Sequence, residues 1–496
     1  MFHPYRLAGL LFAAWLPAAL AQAPLPEKVG NLLRAANIGD GQLAVHAIRL
    51  SDGATIVSHQ PNKLMQPAST LKVLTAIVGL EQLGPTFRAR TELRTAAAVN
   101  AGVLEGDLVL RGMGDPDLDW ESFRKMLQRV RDKGIQRIRG DLVIDRSWYR
   151  PARADLGLPP FDETPEFRYN VIPDALMLNS NLLQIDMESD GATVKARMTP
   201  ALQGVELVTA MTMIDRQCEK WEDGWQLPVT EKTGNGTIRI TLKGNYPRNC
   251  SASTSISVLD RTDLADRMFR SLWAAMGGAF DGVTREAAMP AATRLLADHR
   301  SRTLAEFVRD INKRSDNPIT RMLYLALAES VAGHRNGSDL TAARSEQVVR
   351  EWLKRQGIDD RGLVLDNGSG LSRTERITPR QLTSVLRAAS QSRWAPEFMA
   401  SLPIIGVDGA MRLRLHQTAA AQRGRFKTGS LRNALSVAGF VPDANNQLCI
   451  VVAILNVDDI SGVVGRPILD AVIDAVQNSG AAAVTWPDPQ NLYSGG

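Results

Sequence analysis

The sequence predicts a multidomain α+β protein, and three observations carry that expectation. Its 496 residues suffice for two to four domains with a large core. Stretches of alternating apolar residues near both ends of the chain read as antiparallel strand pairs, the first leading into a long apolar helix. Between them, strand-like and helical segments group into one α+β unit and one mostly β unit. A hydrophobic content of 44% with 22% charged residues belongs to a folded soluble protein rather than to a disordered or membrane-embedded one.

The first 21 residues read as a signal peptide. One charge at Arg6 is followed by the apolar stretch 7–16, and Ala19-Leu20-Ala21 supplies small residues for cleavage. A membrane anchor is the alternative, but the apolar stretch is short for a bilayer span, and no cysteine near the cut offers a lipid attachment. The expected location is the periplasm, with at most peripheral membrane contact.

From Leu43 the chain alternates to Arg49, turns at Ser51-Asp52-Gly53 and returns through Val57 as a hairpin. His46 and His59, on that hairpin, read as structural. Then comes Gln66-Pro67-Ala68-Ser69-Thr70-Leu71-Lys72, running on into Val73-Leu74-Thr75-Ala76-Ile77-Val78-Gly79-Leu80. Pro67 suits a helix start, and the residues behind it are too continuously apolar for an exposed amphipathic helix. At helical pitch Ser69 and Lys72 share a face. Burial there disfavours the ammonium, and neutrality near pH 7 costs roughly 4 kcal/mol, which makes Lys72 a proton acceptor for Ser69. A second Ser-x-x-Lys, Ser122 to Lys125, sits in an ordinary charged surface helix.

The middle of the chain follows in order. Segments 91–99 and 103–111 read as strands, 120–133 as a helix and 138–145 as a strand. Gly112-Met113-Gly114-Asp115-Pro116-Asp117 lacks the lysine or helix that a phosphate loop needs and reads as a turn. The proline-rich and acidic stretch 151–173 is a loop or boundary. Strands are expected over 181–188, 192–198, 206–213 and 237–243, and Cys218 and Cys250 bracket this region and can close a disulfide of roughly 3–4 kcal/mol. Helices are expected over 260–277 and from 303 to 314.

Ser315-Asp316-Asn317 is the only Ser-x-Asn in the chain. One residue between the two lets a hydroxyl and an amide point the same way from a loop. Lys427-Thr428-Gly429-Ser430 then precedes the strand 433–441, which turns at 443–447 into the strand holding Cys449, a buried thiol. The glycine lets a substrate backbone approach closely. A rival Lys232-Thr233-Gly234 is followed at once by Asn235-Gly236, a tight hairpin turn, and reads as structural.

A net charge of +5, aromatics at 5% and no Lys/Arg block argue against nucleic acid as a partner. Six histidines form neither His-Glu-x-x-His nor a close pair, so no metal is expected, and no other cofactor.

Ser-x-x-Lys, Ser-x-Asn and Lys-Thr-Gly in this order resemble the active-site set of the penicillin-recognising serine enzymes. With the segments Asp366-Asn367-Gly368-Ser369-Gly370-Leu371-Ser372-Arg373 and Leu402 to Met411, the chain is similar to the class C low-molecular-mass penicillin-binding proteins, the type 4 D-alanyl-D-alanine carboxypeptidases/endopeptidases. Ser315 lies 246 residues beyond Ser69, a gap that in this family holds two extra domains. The resemblance implies a penicillin-binding/β-lactamase-like transpeptidase domain, an antiparallel sheet flanked by helices, over 22–88 and 291–496. It implies an inserted α+β domain over 89–184 and 255–290, and an inserted β-rich domain over 185–254.

The resemblance also implies roles. Ser69 is the nucleophile and Lys72 its base; Ser315 relays a proton to the leaving amine, aided by the charge of Lys427; Asn317 holds the substrate amide and Lys72. Thr428 and Lys427 bind the terminal carboxylate, and the backbone amides of Ser69 and Ser430, beside Gly429, form the oxyanion hole. Arg432 either contacts substrate or is a surface arginine. Asp366 and Asp408 read as loop-shaping. Peptidoglycan stem peptides and β-lactam antibiotics are the expected ligands. A serine β-lactamase and a catalytically inert peptidoglycan-binding protein are the alternatives.

Overall fold

The computed structural model describes residues 25–158, 161, 164–234, 236–330 and 340–480. The expected signal peptide lies outside the described residues, and among them no helix is long and apolar enough to cross a membrane.

Both ends of the chain enter one antiparallel sheet. Its strands run in the order Arg425–Leu431, Ala434–Pro442, Leu448–Asn456, Leu43–Arg49 and Thr55–His59. Successive side chains on a strand face opposite ways. Cys449, Val451, Ala453 and Leu455 therefore pack with the helices Glu27–Ala35 and Gly462–Gln477, while Ile450, Val452 and Ile454 pack with the helix Lys72–Leu83 and its neighbours. All seven are buried, which is why this central strand is apolar throughout. Cys449 is a buried free thiol.

Arg90–Thr95 leaves this unit and Arg294–Arg300 returns, paired antiparallel to it. They complete a mixed sheet with Leu108–Met113, Leu142–Asp145 and Thr284–Glu286, against which pack the helices Trp120–Asp132 and Arg261–Ala275. Beyond it stand two three-stranded sheets, Val194–Thr199 with Leu183–Ser189 and Ser251–Ile256, and Val205–Ile214 with Ile238–Pro247 and Trp225–Lys232. One cluster of buried side chains, from Leu93 and Phe123 through Ile185 to Ile240 and Tyr246, runs through all of these sheets. Cys218 and Cys250 are disulfide-bonded, with Cα atoms 5.2 Å apart.

The structure departs from the sequence reading at element ends. Segment 103–111 breaks into Val103–Leu104 and Leu108–Met113, and 138–145 into Arg137–Ile138 and Leu142–Asp145. The breaks face each other: a Cβ on Gly140 would stand 2.3 Å from the carbonyl carbon of Gly106, so two loops cross where the chain changes sheets. Strand Ser251–Ile256 escapes the reading because its residues are largely polar and half-exposed, and Trp225–Lys232, although Trp225, Leu227 and Val229 alternate, because Pro228 interrupts it and confines it to a sheet edge. Lys232 ends the second of these and is ion-paired to Asp263 at 2.8 Å; Asn235 of the adjoining turn lies outside the described residues.

Candidate active site

The nucleophile turn is built by a proline and held by its neighbours. Ala68–Leu71 form a 3-10 turn behind Pro67, and the α-helix Lys72–Leu83 continues it. The Pro67 carbonyl accepts hydrogen bonds from Thr70 Oγ1 at 2.7 Å and from Ser436 Oγ at 2.6 Å. Ala68 has φ of 47°, a left-handed conformation that persists in a non-glycine residue only where surroundings enforce it. Two close approaches do so. A Cβ on Gly370 would fall 1.8 Å from the Ala68 carbonyl oxygen, and one on Gly429 would fall 2.3 Å from Ser436 Oγ and 2.8 Å from the Ser69 nitrogen. What Gly429 admits is thus the nucleophile turn itself.

Lys72 is fully buried. Its Nζ donates to Ser69 Oγ at 2.8 Å, Asn317 Oδ1 at 2.6 Å and the Ser369 carbonyl at 2.5 Å. Desolvation drives its pKa from 10.5 to about 7 against the opposing fields of Glu375 and Asp316. The amine is therefore available as a base near neutral pH, with the hydroxyl it would deprotonate already in contact.

The loop 366–370 that supplies the Ser369 carbonyl is itself suspended from a carboxylate. Glu375 Oε1 accepts from the backbone nitrogens of Asp366, Asn367 and Gly368 at 3.3, 3.1 and 2.9 Å, and Thr75 Oγ1 donates to the Gly368 carbonyl at 2.6 Å. Glu375 is fully buried, and burial raises its pKa from 4.5 to about 7.

Ser315, at φ 59°, accepts from Lys427 Nζ at 2.9 Å, and Lys427 also donates to the Thr428 carbonyl at 2.6 Å. Lys427 is fully buried, and desolvation with repulsion from Lys72 holds its pKa well below 10.5. Asn317, which bonds Lys72 through Oδ1, donates from Nδ2 to the Tyr169 carbonyl at 3.1 Å. Asp316 between them caps the helix Asn317–Ala326 through the Ile319 nitrogen.

Ser69, Ser315, Asn317, Ser430 and Arg432 line one cavity of about 680 Å³, with Tyr169 and Arg373 in its wall. Lys72 and Lys427 lie buried beneath the two serines they bond. Thr428 and Gly429 do not line it; they bridge Lys427 and Ser430 on the sheet's edge strand. Arg432 is exposed and ion-paired to Asp459 at 3.1 Å. Asp408 accepts from the Ile404 nitrogen and pairs with Lys313, and Asp366 enters the Glu375 cradle through its backbone nitrogen. Ser122 and Lys125 stand on the helix Trp120–Asp132, half-buried and exposed respectively. His46 is buried with its pKa lowered to about 4 by burial and Arg380; His59 bonds the Asp40 carbonyl.

Sequence reasoning missed Glu375, the Ser369 carbonyl, Arg168 and Tyr169. An acid that caps nitrogens seven to nine residues behind it obeys no motif, and a carbonyl acceptor leaves no trace in side-chain identity.

A model of the D-Ala-D-Ala carboxypeptidase 3 (S13) family matches residues 25–477. The chain is 28% identical over 441 residues to a D-alanyl-D-alanine carboxypeptidase of Actinomadura sp. (strain R39), covering 86% of this chain and 79% of that one. It is 28% identical over 416 residues to D-alanyl-D-alanine carboxypeptidase DacB of Haemophilus influenzae, covering 83% and 84%. Its fold is similar to the crystal structure of penicillin binding protein 4 from Haemophilus influenzae, with a TM-score of 0.76 at 24% identity over 91% of this chain and 99% of that one. A second crystal structure of that protein, complexed with a β-lactam, aligns with a TM-score of 0.73 at 23% identity over the same shares.

Proposed function

Since the chain belongs to the D-Ala-D-Ala carboxypeptidase 3 (S13) family, we propose that Ser69 is the nucleophile through which it hydrolyses peptidoglycan peptides. The protein is a low-molecular-mass penicillin-binding protein of type 4 and a serine D-Ala-D-Ala carboxypeptidase. One observation carries the mechanism: a buried amine, its pKa lowered by burial to about 7, touches the Ser69 hydroxyl at 2.8 Å.

Ser69 Oγ attacks the carbonyl of the penultimate D-alanine as Lys72 takes its proton. The carbonyl oxygen turns toward the backbone nitrogens of Ser69 and Ser430, a donor pair in which each hydrogen bond is worth roughly 3 kcal/mol. Ser315 relays to the departing nitrogen the proton that Ser69 gave up, aided by the charge of Lys427, whose Nζ it touches at 2.9 Å. The entering terminal carboxylate gives Lys427 the counter-charge its burial denies it, with Thr428 as second donor. Water then cleaves the acyl-enzyme. A β-lactam, whose strained amide mimics the dipeptide, acylates Ser69 and leaves slowly. Cleavage of D-alanine to diamino-acid cross-links follows by the same steps, with a longer leaving group.

The domain division at 22–88 with 291–496, 89–184 with 255–290, and 185–254 remains our proposal, as does a periplasmic site of action after removal of residues 1–21. A β-lactamase needs a base for rapid deacylation. Glu375, the buried carboxylate whose field reaches Lys72, has Oε1 committed to three backbone nitrogens, which weighs against that reading. An inert binding protein has no use for a buried neutral lysine on a serine. Purified protein should release D-alanine from a pentapeptide, and Ser69→Ala should release none; equal release by both would overturn the assignment.

A further inference from the structure

The Ser315-Asp316-Asn317 loop is held from outside the catalytic sheet. Ser315 is a non-glycine residue in the left-handed region, a conformation costing about 1 kcal/mol or more that lasts only where neighbours fix it. Lys427 fixes its hydroxyl. Two further anchors come from the 3-10 turn Arg168–Asn170, which stands in the long segment between the strands Leu142–Asp145 and Leu183–Ser189 of the inserted polypeptide.

Asp316 Oδ2 accepts from both Nε and Nη2 of Arg168, at 3.1 and 2.9 Å, while Oδ1 accepts from the Ile319 nitrogen at 2.9 Å. Both carboxylate oxygens are thus committed, with only 8% of the side chain exposed. The next residue of the turn acts on Asn317. An amide can sit either way round, and the Tyr169 carbonyl accepts only from its nitrogen, which leaves Oδ1 toward Lys72.

We propose that Arg168, together with the Tyr169 carbonyl, is a positioning element that the inserted polypeptide supplies to the active site. The inserted unit docks its turn onto the loop and holds Ser315 and Asn317 in their reactive orientation. Arg168 also acts through charge. The charged and titratable groups whose fields reach Lys72 are Asp316 and Glu375, which favour its ammonium, and Lys427, which is itself coupled to it by repulsion. The guanidinium offsets the carboxylate of Asp316 and so helps keep Lys72 an amine.

This rests on the reading of Ser69 as nucleophile, and the test separates the two. The second-order rate of labelling by a fluorescent penicillin is measured against pH at low ionic strength for wild type, Arg168→Ala, Arg168→Lys and Asp316→Asn, alongside thermal melting. Arg168→Ala is expected to label roughly 10- to 100-fold more slowly at neutral pH, with its acid limb moved to higher pH as the unmasked Asp316 holds the proton on Lys72. Arg168→Lys keeps the charge but loses the fork, so its limb stays near wild type while the rate recovers in part. In the Asp316→Asn background Arg168→Ala should add little, because both changes act through one contact. A wild-type rate and limb in Arg168→Ala overturn the proposal. So does a slower rate with an unmoved limb, unrescued by lysine and matched by a fall in melting temperature, the mark of a merely structural contact. Wild type that takes no label overturns the nucleophile reading, and this one with it.

Discussion

Replacing Lys72 by methionine keeps the length of the side chain and removes its proton, and the consequence should appear in how stability varies with pH. In the folded protein Lys72 has a pKa of about 7 against an ordinary 10.5. Between those values the unfolded chain binds a proton that the folded chain does not, so wild-type stability rises with pH. Below the folded value both states are protonated and the full penalty, roughly 5 kcal/mol, weighs on the fold. Between about pH 7 and about pH 9 the wild type should therefore gain about 2 kcal/mol relative to Lys72→Met. Titrations common to both proteins cancel in the comparison. Lys427 and Glu375 do not cancel fully: in the variant Lys427, freed of repulsion from Lys72, titrates closer to its ordinary value, and Glu375, deprived of the Lys72 charge, is pushed higher, and both changes widen the difference. Guanidinium unfolding followed by tryptophan fluorescence at the two pH values measures the effect. Parallel changes in the two proteins would mean that Lys72 carries its charge as it would in water, and the account of the base would fail.

Three further outcomes are expected. Ser315→Ala should lower kcat for D-alanine release by roughly 10²- to 10⁴-fold while Ser69 still contacts Lys72, which turnover assays on a pentapeptide check. Gly370→Ala combines a φ of 76° with a methyl 1.8 Å from the Ala68 oxygen; thermal melting should fall by the equivalent of about 2–4 kcal/mol and penicillin labelling should be lost. Replacing Cys218 and Cys250 by serine should lower stability by roughly 3–4 kcal/mol in denaturant titrations, while Ser69 still accepts penicillin.

The parts of this molecule legible in its sequence are those fixed by short-range rules. Ser69 and Lys72 meet because helical pitch brings positions three apart together, and the sheet strands read clearly because Leu448–Asn456 is apolar on both faces. Polar edge strands such as Ser251–Ile256 carry no such signal. Within the site, the side chains with motif positions were visible and their supports were not. Glu375 serves through backbone nitrogens, the Ser369 and Tyr169 groups are carbonyls common to every residue type, and Arg168 meets Asp316 across 148 residues of chain. Long-range contacts of that kind depend on how the inserted polypeptide docks, and no local pattern encodes docking. The glycine at 429 was legible as a close approach, but its partner, the nucleophile turn, was not.

The central claim is that one hydroxyl, Ser69, is made nucleophilic by one neutral amine. Its most direct test is the rate and position of benzylpenicillin attachment followed by peptide mass mapping across pH. The account predicts a single adduct, carrying the whole drug, on the peptide containing Ser69, formed faster as pH rises through about 7. An adduct on another residue, or a rate indifferent to pH through that range, would contradict it.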